Sequence, residues 1–254
     1  MTRYILLVLF LPVVLVASAQ GQVRFRVAAG LSTDWITNDN PAAQWMVTGG
    51  NDVPEEEAVF GGGFDGAQMG WGLRAYADLD KQKKFRVPLG FDYFTYSGTQ
   101  TIKSERFNVR VTHSNELYTC FTGFEWSFIE FPWAFARAYI GAEARVLIVG
   151  ENTISSTRNV LVGDTLQTTS GSYNGKPSAT RLGALARLGI EGEVYYPVFI
   201  NTSVGWGAMN LIGRDETPTA EGGRGELLTP VSRNEPAESI VYHLNFTFMV
   251  QVRL

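Results

Sequence analysis

Eight segments that alternate apolar and polar residues, an apolar set free of charge in each, and connections that alternate short and long predict an all-β, antiparallel up-and-down barrel that crosses a membrane. The closing segment shows the rhythm: Ile240, Tyr242, Leu244, Phe246, Phe248, Val250, Val252 and Leu254 interleave with His243, Asn245, Thr247, Gln251 and Arg253. A period of two puts the two sets on opposite faces of a β-strand. One uninterrupted apolar face needs apolar surroundings, either a packed core or lipid.

The elements follow in order. Arg3, the apolar run Tyr4 to Val16 and Ala17-Ser18-Ala19 have the charge, length and small-residue pattern of a secretory signal. Residues 1–19 are therefore predicted as a signal peptide and residues 20–254 as one barrel domain. No later stretch reaches the roughly 20 apolar residues of a membrane helix, so insertion must be by strands. The first strand shows Val23, Phe25, Val27, Ala29 and Leu31. The second shows Met69, Trp71, Leu73, Ala75, Ala77 and Leu79, and the third Phe85, Val87, Leu89, Phe91 and Tyr93. The fourth carries Tyr118, Cys120, Thr122, Phe124, Trp126 and Phe128, and the fifth runs from Ala136 to Ile148. The sixth runs from Leu182 to Val194 and the seventh from Val198 to Ala208, before the closing strand.

Residues 80–84, 129–133 and 195–197 form short connections, whereas 32–68, 97–115, 150–179 and 211–237 read as long polar loops. In membrane barrels short turns are periplasmic and long loops extracellular, which places both termini of an eight-strand chain on the periplasmic side. Alternation within Phe107-Asn108-Val109-Arg110-Val111 predicts a hairpin reaching past the membrane, and ten strands are the alternative count.

Periodicity does not say which way the apolar face points, because a soluble lipocalin-like barrel turns it inward. Three features point it outward. The opposite phase holds Arg24, Arg26, Arg74, Asp78, Arg86, Asp92, Glu125, Arg137, Glu143, Arg145, Arg181, Arg187, Glu191, Glu193 and Arg253. Every base in it is arginine, while Lys81, Lys83, Lys84, Lys103 and Lys176 fall in turns or loops. A confined interior favours arginine, whose planar fork satisfies a carboxylate at two points and keeps its charge when buried. Gly70, Gly72, Gly141, Gly183, Gly189, Gly205 and Gly207 share this phase, as expected where neighbouring arginines need room. Finally, Trp126, Phe128, Phe131, Trp133, Tyr195 and Tyr196 cluster at the short-turn end, with Tyr93 and Trp206 toward the long loops. Two aromatic girdles are the mark of a membrane barrel.

The signal, the strand Ala138-Tyr139-Ile140-Gly141-Ala142-Glu143-Ala144 after the Phe131-Pro132-Trp133 turn, and the closing strand resemble the small bacterial outer-membrane β-barrel family. That family includes the OmpA-like and porin-like barrel domains of Gram-negative bacteria. The resemblance implies residence in outer-membrane lipid and delivery by the barrel insertion machinery. Family members usually end in phenylalanine, whereas this chain ends in Leu254 with Phe248 further back.

Little else points to chemistry. A net charge of −4 gives no basic footprint for nucleic acid, and the single cysteine, Cys120, excludes an internal disulfide. An eight-strand lumen is just wide enough for side chains, so the charged set is expected to form a salt-bridged filling. His243 reads as a hydrogen-bonded lumen residue. His113-Ser114 sits where a lipid A deacylase would hold its catalytic pair, but the spacing is one residue too short; His113 with Asp34 or Asp164 lacks the spacing for omptin-type proteolysis. Gly61-Gly62-Gly63-Phe64-Asp65-Gly66 lacks a phosphate-binding lysine and reads as a flexible loop. No cofactor, metal site or catalytic residue is expected, although Asp52, Glu55, Glu56 and Glu57 could gather cations loosely. The leading expectation is a non-enzymatic outer-membrane protein with a structural or surface-interaction role, meeting an extracellular partner through loops that carry Trp35, Trp45 and Tyr173. A small porin is the alternative, and a lipid-modifying enzyme the second.

Overall fold

Strand alternation closes into a ring. The computed structural model describes residues 24–37, 63–80, 82, 84–174, 180–212 and 239–254. Its strands are β1 (Arg24–Ile36), β2 (Gly66–Asp78), β3 (Phe85–Lys103), β4 (Phe107–Phe131), β5 (Ala136–Val162), β6 (Thr165–Asn174), β7 (Thr180–Tyr195), β8 (Val198–Ile212) and β9 (Ser239–Arg253). Neighbours run β4-β3-β2-β1-β9-β8-β7-β5, and β5 pairs back onto β4, so eight antiparallel strands leave no edge. The first and last strands meet in register, with Leu31 opposite Phe248 and the Leu254 amide donating to the Phe25 carbonyl at 3.0 Å. Arg24 is the first described residue; Val23 and residues 1–19, expected as a signal peptide, lie outside the described set.

The short connections fall at one end. The Leu79 amide donates to the Phe85 carbonyl across the β2–β3 turn, and a single 3₁₀ turn, Pro132–Ala134, joins β4 to β5. Proline suits the start of that turn because its fixed φ is already helical.

At the other end the strands continue past the ring. The segments 97–115 and 150–179, expected as polar loops, are largely hairpin arms: β3 runs on to Lys103, β4 starts at Phe107, β5 continues to Val162 and β6 returns from Thr165. β6 pairs with β5 only, so a ninth strand exists outside the ring. At 19, 25 and 27 residues, β3, β4 and β5 far exceed the roughly 9–11 needed to cross a bilayer. The reason is compositional. Ile102, Val109, Val111, Ile154 and Val160 alternate with threonine, serine and asparagine, and β-branched residues on both faces suit a strand without giving it a lipid-facing stripe. Gly163 sits at φ 63° in the β5–β6 turn, a left-handed conformation that glycine adopts without a Cβ clash.

The ring's two faces differ sharply. Leu31, Leu73, Leu188 and Phe248 are about half exposed on the outside, while Arg26, Arg74 and Arg187 are buried within. The apolar face points outward.

Candidate functional site

The lumen fills in three levels. Nearest the short turns, Glu191 of β7 is the hub. It receives Arg26 of β1 and Arg86 of β3 in close ion pairs, Arg137 of β5 at 3.1 Å, and the Gln251 amide at 3.1 Å. Arg26 also donates to Asp78 at 2.8 Å, and Arg86 pairs closely with Glu125. The Arg86 guanidinium lies between the rings of Tyr76 and Tyr139, 4.4 and 4.5 Å from their centroids. Two rings flank the faces of this guanidinium, while its Nε and Nη1 donate to Glu125 and Glu191.

Midway, Glu143 of β5 takes the hub role. Arg74, Arg145 and Arg187 reach it at 3.0, 2.8 and 2.9 Å from three strands, and Arg74 and Arg145 also lie 3.5 and 3.7 Å from Asp92. Arg74 lies 4.6 Å from the Phe121 ring centroid. Arg187 continues outward to the Thr247 hydroxyl and the Asn245 side-chain oxygen, both at 3.2 Å.

Toward the long loops the filling turns apolar. Ile36, Phe64, Phe94, Tyr96, Leu117, Leu147, Val149, Met209 and Val241 form one buried cluster. Phe64 enters from the segment ahead of β2, its ring 4.7 Å from His113 and 5.6 Å from Tyr96. The described part of the glycine-rich segment is thus anchored by a fully buried ring, which corrects the expectation of a flexible loop. Its remaining residues, Gly61 and Gly62, lie outside the described set, as do Trp45, Asp52, Glu55, Glu56 and Glu57. The two chemistries meet at Asp34, which accepts from the Tyr96 hydroxyl at 2.6 Å and from the Asn245 side-chain amide at 2.7 Å.

Of the charged residues singled out by sequence, Arg26, Arg74, Asp78, Arg86, Asp92, Glu125, Arg137, Glu143, Arg145, Arg181, Arg187 and Glu191 are buried. Arg24 is exposed, and Glu193 and Arg253 are only partly covered. These three sit at the short-turn rim, where the lumen opens to water. Glu193 also precedes a register shift between β7 and β8 that breaks the alternation.

The lumen glycines make room chiefly for rings and carboxylates. The Tyr139 ring lies over Gly189, the His243 ring over Gly207, and the Asp92 side chain beside Gly72. Sequence missed the lumen aromatics Tyr76, Phe121, Tyr139 and Phe199, and the phase of the glycines was their one available signal.

Both histidines face inward. His113 pairs with Asn152 at 2.6 Å, and His243 lies 3.9 Å from Asp34, beyond hydrogen-bond reach. His113 is buried while its neighbour Ser114 projects to the opposite face, because adjacent strand residues alternate. Asp164 sits at the tip of the β5–β6 hairpin, whereas Asp34 is held inside the barrel.

Outside, Trp71, Leu73, Leu89, Phe124, Ile140, Leu188, Trp206 and Phe246 make a continuous exposed apolar surface. Aromatic residues mark its margins: Trp126, Phe128, Trp133, Tyr195 and Tyr196 toward the short turns, and Trp206 stacked on Tyr242 at 5.5 Å toward the long loops. An edgeless ring with an apolar band outside and arginine–carboxylate hubs inside is stable only where hydrocarbon surrounds it. This is a transmembrane β-barrel of the outer-membrane type. No protein-family model and no curated protein matches the chain. Among solved structures it is similar to the attachment invasion locus protein Ail of Yersinia pestis, at 8% identity and a TM-score of 0.40 over 92% of this chain and 99% of that one. It is also similar to the outer membrane protein OprG of Pseudomonas aeruginosa, at 9% identity and 0.37 over 92% and 96%. Neisserial surface protein A follows at 10% identity and 0.35 over 91% and 97%.

Proposed function

We propose that this barrel serves the outer membrane as a non-enzymatic envelope protein that acts through its extracellular part, with the lumen held shut. The layered lumen carries this reading. Two charged levels, one centred on Glu191 and one on Glu143, lie beneath the apolar level around Phe64, and their side chains are buried. An eight-strand ring has only enough cross-section for side chains to fill. A porin needs a continuous aqueous path, and each level here opposes one. The barrel gives its length instead to the four strands β3 to β6, which rise beyond the apolar band.

The deciding experiment is single-channel recording on the folded protein in planar bilayers. The expected trace is flat apart from rare transient openings. A steady open current would favour the small-porin reading. For the lipid-modifying reading, His113→Ala should leave lipid A unchanged, since His113 and Ser114 project to opposite faces.

A further inference from the structure

Above the ring, β3, β4, β5 and β6 lie side by side, and their outward faces carry hydroxyls in register. One row across the sheet is Thr99, Thr112, Ser155 and Ser172. The next row is Thr101, Arg110, Thr157 and Ser170, and all of these side chains are exposed or half-exposed. Strands spaced about 4.8 Å apart, with same-face residues about 6.8 Å apart along each, make a regular polar lattice. Some hydroxyls are already ordered: Thr99 and Thr112 share a 3.2 Å hydrogen bond, and Thr168 donates to Asn159 at 2.8 Å.

These two rows, flanked on the same face by Lys103 above and Glu116 below, are unlike an ordinary solvated sheet. A strand surface that meets only water usually interleaves lysine and glutamate for solubility and against edge pairing. In these two rows Arg110 is the single charge, and no aromatic or carboxylate interrupts them. Each Ser or Thr hydroxyl offers one donor and two acceptor positions, which matches a ligand that is itself a dense array of hydroxyls. Arg110 adds a point at which a phosphate could be held.

The position of the face selects the ligand. On β3, β4 and β5 it is the direct upward continuation of the lipid-facing band, through Phe91, Tyr93, Tyr118 and Ile148. At the border, the Tyr93 and Tyr118 hydroxyls both donate to Glu116 at 3.0 Å, a polar seam of the kind found at a membrane–water interface. Whatever lipid touches the band below must present its headgroup to the lattice above. We infer that the outward face of β3–β6 is a docking face for the saccharide headgroups of glycolipid in the surrounding outer leaflet. The inference rests on the outer-membrane reading and names the partner that reading leaves open.

The test uses the full chain folded in detergent micelles and titrated with smooth lipopolysaccharide, each sample checked by the gel shift between boiled and unboiled protein. Thr99→Val, Thr112→Val and Thr157→Val are combined, because valine keeps the β-branched shape and removes only the hydroxyl. Three lost hydrogen bonds should weaken binding at least fivefold with the gel shift intact. The single change Thr112→Val should give a smaller loss in the same direction. Equal binding by wild type and triple variant, or no binding by a folded wild type, would overturn the docking face. Polysaccharide freed of its lipid should bind more weakly than the intact glycolipid; equal affinity would reject the membrane as the source. A wild-type chain with no gel shift would instead bring down the barrel reading, and this inference with it.

Discussion

The two halves of the lumen solve one problem in opposite ways. Toward the short turns, arginines from several strands converge on Glu191 and Glu143, and aromatic rings cover the guanidinium faces. Toward the long loops, the same strands fill the same cross-section with Phe94, Leu117, Leu147, Met209 and Val241, topped by Phe64. Ionic hubs tie many strands to one carboxylate, so each hub is costly to lose. The apolar level spreads its contribution over many contacts and closes the barrel with a residue borrowed from outside the ring.

Removing a hub should have the largest effect. Glu143→Ala leaves Arg74, Arg145 and Arg187 buried without their shared carboxylate, and breaking a buried ion pair from one side costs about 3–5 kcal/mol. Urea titration of the vesicle-folded barrel should show this loss, and a change below about 1 kcal/mol would mean that water reaches the hub. Phe64→Ala should cost about 3 kcal/mol, toward the low end for a buried phenylalanine because the segment ahead of β2 can relax. Bilayer recordings of Phe64→Ala should still show no steady current, because the charged levels beneath remain. A persistent conductance would make the apolar level the sole barrier. Tyr96→Phe, at the boundary, removes one hydrogen bond to the Asp34 carboxylate and should cost about 2 kcal/mol in the same titration.

The same contrast separates what was readable in the sequence from what was not. A two-residue period separated the two faces of each strand, and the all-arginine bases, glycines and aromatic girdles then turned the face of Leu31, Leu188 and Phe248 toward lipid. The charged half of the lumen was equally visible, because arginines and carboxylates recur on one phase. Its apolar half was hidden. In Val146-Leu147-Ile148-Val149 and in Ile240-Val241-Tyr242 both phases are apolar. That loss of alternation is the signature of a lumen that has changed chemistry, and it is easily taken for mere greasiness. Phe64 left no periodic trace, since it joins the lumen from a glycine-rich connection. Of the extension above the membrane, the alternation at residues 107–111 was legible as a hairpin, but its full length and the β5–β6 arms were read as loop. The cause is related: threonine and serine on one face imitate a solvated segment unless their register with neighbouring strands is known.

The account depends on which medium touches the outside of the ring, and the chain carries its own probe. Cys120 is the single cysteine; it is exposed on β4 between the outward-facing Tyr118 and Thr122, in register with Phe91 and Val146. A nitroxide attached to Cys120 in the vesicle-folded barrel should relax strongly with oxygen, which concentrates in hydrocarbon, and weakly with a water-soluble nickel chelate. The opposite order would place Cys120 in water and contradict a lipid-facing exterior.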